Sequence, residues 1–190
     1  IFNEFLPPLN IDVCLCETHD HEQIQKEISK GCQVLYLETP TNPTIKITDI
    51  KKLSAAAKKV GAIVVVDNTF ATPINQNPLV LGADIVLHSA SKYLGGHADA
   101  LGGVICGNKQ LVEKVYHYRE INGATLAPMD AYSLLRGMKT LKLRVEKQNE
   151  SAMIIAKHLN KHPMVEQVNY PGLETHPGHE IAKEQMHGGY

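Results

Sequence analysis

The most reactive combination in the sequence is a lysine that follows two serines and precedes a pair of glycines. Lys92 comes directly after Ser89 and Ser91, and Gly95 and Gly96 follow it closely. Hydroxyl and backbone N–H groups in such a turn suit a phosphate. A lysine amine shielded from water can attack a carbonyl carbon and form a Schiff base. Because most lysines lie on the surface, this segment taken alone is better explained as an exposed polar loop.

Two further polar side chains stand where predicted strands end. Asn42 comes shortly after a short apolar strand over residues 33–38, and Asp67 directly follows a β-branched strand over residues 63–66. In open α/β sheets, ligands bind beyond the carboxyl ends of the strands. We therefore expect both side chains to converge with Lys92 at one edge of a sheet.

Each of these residues also has an ordinary structural explanation. Asp67 could cap the next turn, and Asn42 could be a turn residue between two prolines. Paired with Lys92 and a phosphate cradle, however, Asp67 fits a second role. A carboxylate beside a pyridine nitrogen keeps that nitrogen protonated, which is how proteins tune pyridoxal 5′-phosphate. Asn42 could then hydrogen-bond the ring oxygen or the substrate.

The elements that must position these residues alternate between strands and helices. Helices are predicted over residues 20–30 and 48–60, and a glycine follows each of them. Thr18 or Asp20 can cap the first helix, and Thr48 and Asp49 start the second. Strands are predicted over residues 33–38, 63–66, 83–88 and 103–106. Such alternation indicates an α/β domain with a central, mostly parallel sheet.

Beyond residue 109 the pattern is helical. Apolar residues recur at helical spacing after Pro128, which predicts one long amphipathic helix over residues 128–160 with a kink near Gly137. Pro163 should end it. Residues 165–170 are predicted to form the strand that opens another unit.

The composition excludes several classes of protein. The 190 residues include 19 Lys+Arg and 20 Asp+Glu, a net charge of −1 that provides no electrostatic footprint for nucleic acid or an anionic membrane. Hydrophobic residues make up 43%, enough to bury a core at this length. No apolar run approaches the roughly 20 residues that span a bilayer, and no signal peptide is evident. We expect a cytoplasmic protein without nucleic-acid or membrane partners and without a metal site.

Four segments together resemble one family of enzymes. They are ETPTNPT, VVVDNTFATP, HSASKYLGGHADALGG and RGMKTLKLRVEKQ, in this order along nearly the whole chain. This pattern is similar to the Cys/Met-metabolism, or transsulfuration, family of pyridoxal-phosphate enzymes, which includes cystathionine γ-synthase, cystathionine γ-lyase and methionine γ-lyase. The resemblance implies that Lys92 forms the internal aldimine, Asp67 pairs with the pyridine nitrogen, Ser89 and Ser91 bind the phosphate, and Asn42 lies near the ring oxygen.

The resemblance also implies the fold and the reaction. The fold would be that of fold-type-I transferases, similar to aspartate aminotransferase. The reaction would be elimination or replacement at the γ- or β-carbon of sulfur amino acids such as cystathionine, methionine or homoserine esters. A homotetramer, built as a dimer of dimers, is implied as the assembly.

Family members are about twice as long as this chain, so we expect a central segment of a longer enzyme. Residues 1–127 would form the central part of the large cofactor-binding domain, residues 128–160 the connecting helix, and residues 161–190 the start of a smaller α+β domain. The tyrosine that stacks on the ring and the arginine that binds the substrate carboxylate would lie outside it. A non-catalytic or truncated subunit that keeps the fold for assembly is the alternative.

Overall fold

The computed structural model describes residues 1–189 and contains one four-stranded mixed sheet. Its strands are β1 (Val34–Glu38), β2 (Ile63–Asp67), β3 (Ile85–Ser89) and β4 (Gly103–Gly107), in that spatial order. The first three strands are parallel, and β4 pairs antiparallel with β3. This confirms the predicted α/β class with a mostly parallel sheet.

One helix precedes β1 and another connects β1 to β2, and both begin at predicted caps. Helix α1 spans His21–Ser29 and α2 spans Ile50–Lys59. The carboxylate of Asp20 accepts a hydrogen bond of 2.9 Å from the N–H of Gln23, and that of Asp49 accepts one of 2.8 Å from Lys52. Both bonds satisfy N–H groups that have no partner within the first helical turn.

One buried apolar cluster lies on one face of the sheet, beneath α1 and α2. Its members are apolar residues of both helices together with alternate strand residues. From the helices come Ile24, Ile28, Ile50, Leu53 and Ala57, and from the strands Leu37, Val64, Val66 and Val86. Strand side chains alternate between faces, so the intervening residues point to the other side. There Val34 and Tyr36 are 54% and 39% exposed. Among residues 1–189, no helix covers this second face as α1 and α2 cover the first.

The remaining helices follow the second and fourth strands. Short helix α3 (Thr72–Asn75) comes after β2, and α4 (Lys109–Asn122) comes after β4. They are followed by α5 (Pro128–Met138), α6 (Leu141–Leu159) and α7 (His179–Gln185). Two 3₁₀ turns lie at Pro7–Leu9 and Pro78–Leu81. None of the helices described for residues 1–189 is long and apolar enough to cross a membrane.

The prediction of a single helix over residues 128–160 is wrong, because α5 ends at Met138 and α6 begins at Leu141. At the break the N–H groups of Lys139 and Thr140 bond to the carbonyls three residues back rather than four. The carbonyl of Gly137 also accepts a bond of 3.2 Å from the Thr140 hydroxyl. These contacts tighten the last turn and stop the helix near the glycine at which a kink was predicted.

The predicted strand over residues 165–170 is also wrong. This segment is extended or irregular, and among residues 1–189 no neighbouring strand pairs with it. A β-rich sequence becomes a strand only when its backbone groups find partners in a ladder.

Candidate active site

Asp67 is the last residue of β2 and lies on the face of the sheet that the helices leave open. In the sheet register it stands beside Glu38 of β1 and Leu87 of β3. One carboxylate oxygen, Oδ1, accepts a hydrogen bond of 2.9 Å from the N–H of Thr69. The other, Oδ2, lies 3.5 Å from the hydroxyl of Tyr36. Asp67 is therefore oriented by its own turn and keeps one oxygen only weakly engaged.

Tyr36 is a titratable neighbour of this carboxylate. Burial, together with the charges of Asp67 and Glu38, raises the pKa of Tyr36 to about 12. The phenol therefore stays neutral at physiological pH and can act as a hydrogen-bond donor towards Asp67. The ring of Phe2 packs edge-on against Tyr36, with the ring centroids 5.2 Å apart.

Ser89 and Lys92 lie at the end of the next strand. Ser89 is the last residue of β3, and a turn over residues 90–95 follows it. The N–H of Lys92 donates to the Ser89 carbonyl at 3.2 Å, and the Lys92 carbonyl accepts a bond of 2.8 Å from the N–H of Gly96. The backbone of Lys92 is thus held on both sides, while its side chain is exposed.

Thr69 joins the two strand ends and was missed by the sequence analysis. Its hydroxyl oxygen accepts a hydrogen bond of 2.7 Å from the N–H of Ser89, while its own N–H donates to Asp67. One residue therefore orients the carboxylate and fixes the start of the lysine turn. The only signal in the sequence is the Asp-x-Thr spacing, which is common in turns where an aspartate accepts a bond from the N–H two residues on.

Ser91 has a structural contact that the sequence did not indicate. Its hydroxyl accepts a bond of 3.0 Å from the N–H of Gly102 and lies 3.4 Å from the carbonyl of the same residue. The Ala90 N–H also donates to the Gly102 carbonyl, at 2.8 Å. Ser91 thus fastens the lysine turn to the segment that leads into β4. The hydroxyl of Ser89, by contrast, has no hydrogen-bond partner among residues 1–189.

Asn42 lies in the loop that follows β1, with an exposed side chain. Its N–H donates to the Glu38 side chain at 3.1 Å, which draws the loop towards the carboxyl end of β1. Glu38 pairs in register with Asp67, so the loop lies at the same sheet edge. The peptide bonds before Pro40 and Pro43 are both cis.

A buried network of amides holds these loops together. The side chain of Gln76 is fully buried, and its Nε2 donates to the Thr39 carbonyl and to Asn68 Oδ1, both at 2.9 Å. Its Oε1 accepts a bond of 3.0 Å from Gln185 of α7. Asn68 in turn donates to the carbonyls of Gln76 and Thr72, at 2.8 and 3.1 Å. The network links the loop after β1, the turn after Asp67 and the last helix.

The same network contains a strained residue. Thr72 has φ of 67° although it is β-branched, a combination that is costly and persists only where the surroundings enforce it. It is almost completely buried at 1% exposure. At the start of α3 the surrounding contacts therefore outweigh the local backbone preference of Thr72.

The residues present fit pyridoxal phosphate in their chemistry. One open sheet face carries a partly engaged carboxylate at Asp67, an unbonded hydroxyl at Ser89 and a lysine amine on the following turn. A flat ring needs an open face, a protonated ring nitrogen needs a carboxylate, and an aldehyde needs an amine. No group of three or more His, Cys, Asp or Glu side chains suited to a metal ion occurs in the described part of the chain.

Comparison with known proteins identifies the family to which an α/β domain with this site belongs. The family described as "Cys/Met metabolism PLP-dependent enzyme" matches residues 1–190. The chain belongs to this family. That membership confirms the resemblance drawn from the four sequence segments.

Curated relatives within the family act on sulfur amino acids by name. The chain is 47% identical over 184 residues to an L-methionine gamma-lyase of Fusobacterium nucleatum, covering 95% of this chain and 47% of that protein. It is 46% identical over 189 residues to the cystathionine gamma-lyase of Bacillus subtilis, covering 99% of this chain and 50% of that protein. The chain spans about half the length of these relatives.

Solved structures agree with the fold. Cystathionine gamma synthase from Xanthomonas oryzae, in complex with aminoacrylate and cysteine, superposes with a TM-score of 0.95 at 39% identity, covering 99% of this chain and 49% of that one. Cystathionine gamma-lyase from Lactobacillus plantarum, complexed with L-serine, superposes with a TM-score of 0.94 at 41% identity, covering 98% and 49%. The predicted relation to pyridoxal-phosphate enzymes of this fold is therefore confirmed.

Proposed function

We propose that this chain is the central part of an enzyme that uses pyridoxal 5′-phosphate to eliminate or replace a group at the γ- or β-carbon of a sulfur amino acid. The observation that carries the proposal is the placement of Asp67, Ser89 and Lys92 at one edge of one open sheet face. Family membership, and relatives named as methionine and cystathionine γ-lyases, support the substrate class.

Each proposed residue has one task at the cofactor. Lys92 would hold the cofactor covalently through its side-chain amine, and Asp67 would accept a hydrogen bond from the protonated pyridine nitrogen. Ser89 would donate its unbonded hydroxyl to the phosphate, and Ser91 would add its own hydroxyl beside the Gly102 contact. Asn42 would hydrogen-bond the ring oxygen from the loop after β1.

The cofactor, when bound, supplies an electron-withdrawing ring that makes the α-carbon of an amino acid acidic. The chain's own residues would carry the protons. Lys92 would take the proton from the substrate's α-carbon and deliver a proton to the β-carbon. The neutral Tyr36 hydroxyl would help to orient the Asp67 carboxylate. A thiol, or the carboxylate of a homoserine ester, would then leave from the γ- or β-carbon, and water or a sulfur nucleophile would complete the reaction.

We further propose the domain organisation that the sequence suggested, with the connection revised. Residues 1–127 would belong to the cofactor-binding domain, residues 128–160 would connect as two helices, and residues 161–190 would begin the smaller domain. Exposed apolar side chains on two helices support assembly into a homotetramer. They are Val115, Tyr118 and Ile121 on α4, and Met129, Tyr132 and Leu135 on α5. Sedimentation of the intact protein as a monomer would overturn this assembly.

The test of the proposed reaction is an assay of the intact protein, meaning the longer product that carries this segment. Three substrates are offered separately: cystathionine, methionine, and an O-acyl homoserine together with cysteine. The release of thiol and 2-oxo acid is measured, and so is the formation of a new thioether. We expect turnover of at least one substrate and almost none in Lys92→Ala. Bound cofactor without turnover of any of them would instead indicate the non-catalytic subunit.

A further inference from the structure

The guanidinium of Arg144 is bound across the turn that carries Lys92. Its Nη1 donates to the carbonyl of Tyr93 at 3.0 Å, and its Nη2 donates to the carbonyl of Gly137 at 2.9 Å. Its Nε donates to the hydroxyl of Thr140 at 3.1 Å. All three donors therefore face uncharged oxygens, and the first belongs to the residue directly after Lys92.

The glycines of the turn make room for this contact. Gly96 has φ of 74°, and a side chain there would overlap the guanidinium of Arg144. A side chain on Gly137 would overlap the carbonyl of Gly95 in the same way. The break between α5 and α6 is thus packed directly against residues 93–96, and the arginine closes the contact.

The bonds of the turn connect this contact to Lys92. The Lys92 carbonyl accepts a bond of 2.8 Å from the N–H of Gly96, whose α-carbon lies against the guanidinium, and the Ala90 carbonyl accepts one of 2.8 Å from Gly95. Moving the Tyr93 carbonyl or Gly96 would therefore move the backbone of Lys92. Within residues 1–189 its exposed side chain makes no hydrogen bond that would compensate.

We propose that Arg144 is a positioning residue for Lys92: its guanidinium holds the turn so that the lysine amine stands where it must meet the cofactor's aldehyde. This inference rests on the proposed function of Lys92. It predicts that the planar fork, and not merely a positive charge, is required, because a lysine ammonium cannot reach two carbonyls and a hydroxyl in one plane.

The experiment uses the intact protein stripped of cofactor, with Arg144→Lys and Arg144→Gln, and with Arg136→Lys as the control. Arg136 lies on α5 with an exposed side chain. Its guanidinium is not among the donors of the clamp, by which we mean the three hydrogen bonds from Arg144 to Tyr93, Gly137 and Thr140. Pyridoxal phosphate is added, and covalent attachment is followed by absorbance and by borohydride trapping on the Lys92 peptide. A displacement of about 1 Å can cost roughly 10²-fold in rate. We expect attachment to slow by about 10- to 100-fold in both Arg144 variants. In both, kcat should fall, whereas KM should stay within about threefold of the wild-type value.

The outcomes separate this inference from the proposed function. Wild-type protein that forms no adduct on Lys92 overturns the proposed function. Wild-type protein that forms it, with Arg144→Lys forming it at the same rate despite a lower melting temperature, overturns only the positioning role. If the Arg144 variants do not fold, Thr140→Val removes a single acceptor of the clamp. It should slow attachment about two- to fivefold, and an unchanged rate there contradicts the inference.

Discussion

The hydroxyl oxygen of Thr69 accepts a hydrogen bond of 2.7 Å from the backbone N–H of Ser89 and so joins the ends of two neighbouring parallel strands. Because the Thr69 N–H donates to Asp67, this one residue sets the spacing between the carboxylate and the lysine turn. Thr69→Val should leave the Ser89 N–H without a partner, which costs about 1–3 kcal/mol in the free energy of unfolding.

Urea denaturation of the intact protein measures this cost, and titration with pyridoxal phosphate measures its effect on the site. Thr69→Ser keeps the hydroxyl and is the matched control, so it should retain most of the stability and of the affinity. Equal stability of the valine variant and the wild type would show that the bond has no role in holding the strand ends.

Asp67→Asn keeps the shape of the side chain but removes the charge that would keep the pyridine nitrogen protonated. We expect kcat to fall by about 10²-fold or more, the size of effect seen when a preorganised electrostatic group is removed. Asp20→Asn is the isosteric control, since asparagine caps helix α1 as well as aspartate does. Steady-state rates at saturating cofactor decide the matter, and an Asp67→Asn rate within threefold of wild type would contradict the assignment.

Gln76→Leu should be strongly destabilising because it leaves several buried polar groups unpaired. The Thr39 carbonyl, the Asn68 side chain and the Gln185 amide would each lose a partner. A loss of about 3 kcal/mol or more is expected. Gln110, exposed at the start of α4, provides the comparison, and Gln110→Ala should stay within about 0.5 kcal/mol. Similar denaturation midpoints for the two variants would refute the importance of the network.

His176 should make the protein less stable as the pH falls. Its Nδ1 accepts a bond of 2.9 Å from the N–H of Gly178, and its Nε2 lies 3.1 Å from the Ile45 carbonyl, so the neutral ring fits and the protonated ring loses one bond. Burial, with a smaller contribution from His179, lowers the pKa of His176. The unfolded chain therefore binds the proton more readily, and stability drops as the pH decreases below about 6.5.

Melting temperatures between pH 8 and pH 5 test this dependence. His176→Gln should lower the melting temperature at pH 8 but flatten its fall towards pH 5. His158→Gln, on the outer part of α6, should leave the slope unchanged. A slope that is as steep without His176 as with it would assign the effect to other groups.

Much of this arrangement could be predicted from local sequence. The caps at Asp20 and Asp49 depend only on neighbouring residues. The strands can be predicted from their content of β-branched residues. The placement of Asp67 and Ser89 at one edge then follows from the rule that parallel strands end on the same side.

The features that were missed or wrong depend on contacts between distant residues. The break before α6 arises where Gly137 meets Gly95, more than forty positions away. The bond of Ser91 with Gly102 and that of Thr69 with Ser89 likewise join separate segments. No periodicity within one element reports such contacts, and only the assembled fold brings them together.

The proposed reaction depends on covalent attachment of the cofactor to Lys92. The most direct measurement is borohydride reduction of the intact protein in the presence of pyridoxal phosphate, followed by peptide mass mapping, with Lys92→Arg as the matched control. A pyridoxyl group on the peptide that contains Lys92, absent from the variant, is the predicted result. An adduct on another lysine, or equal labelling of wild type and variant, would contradict the assignment of Lys92.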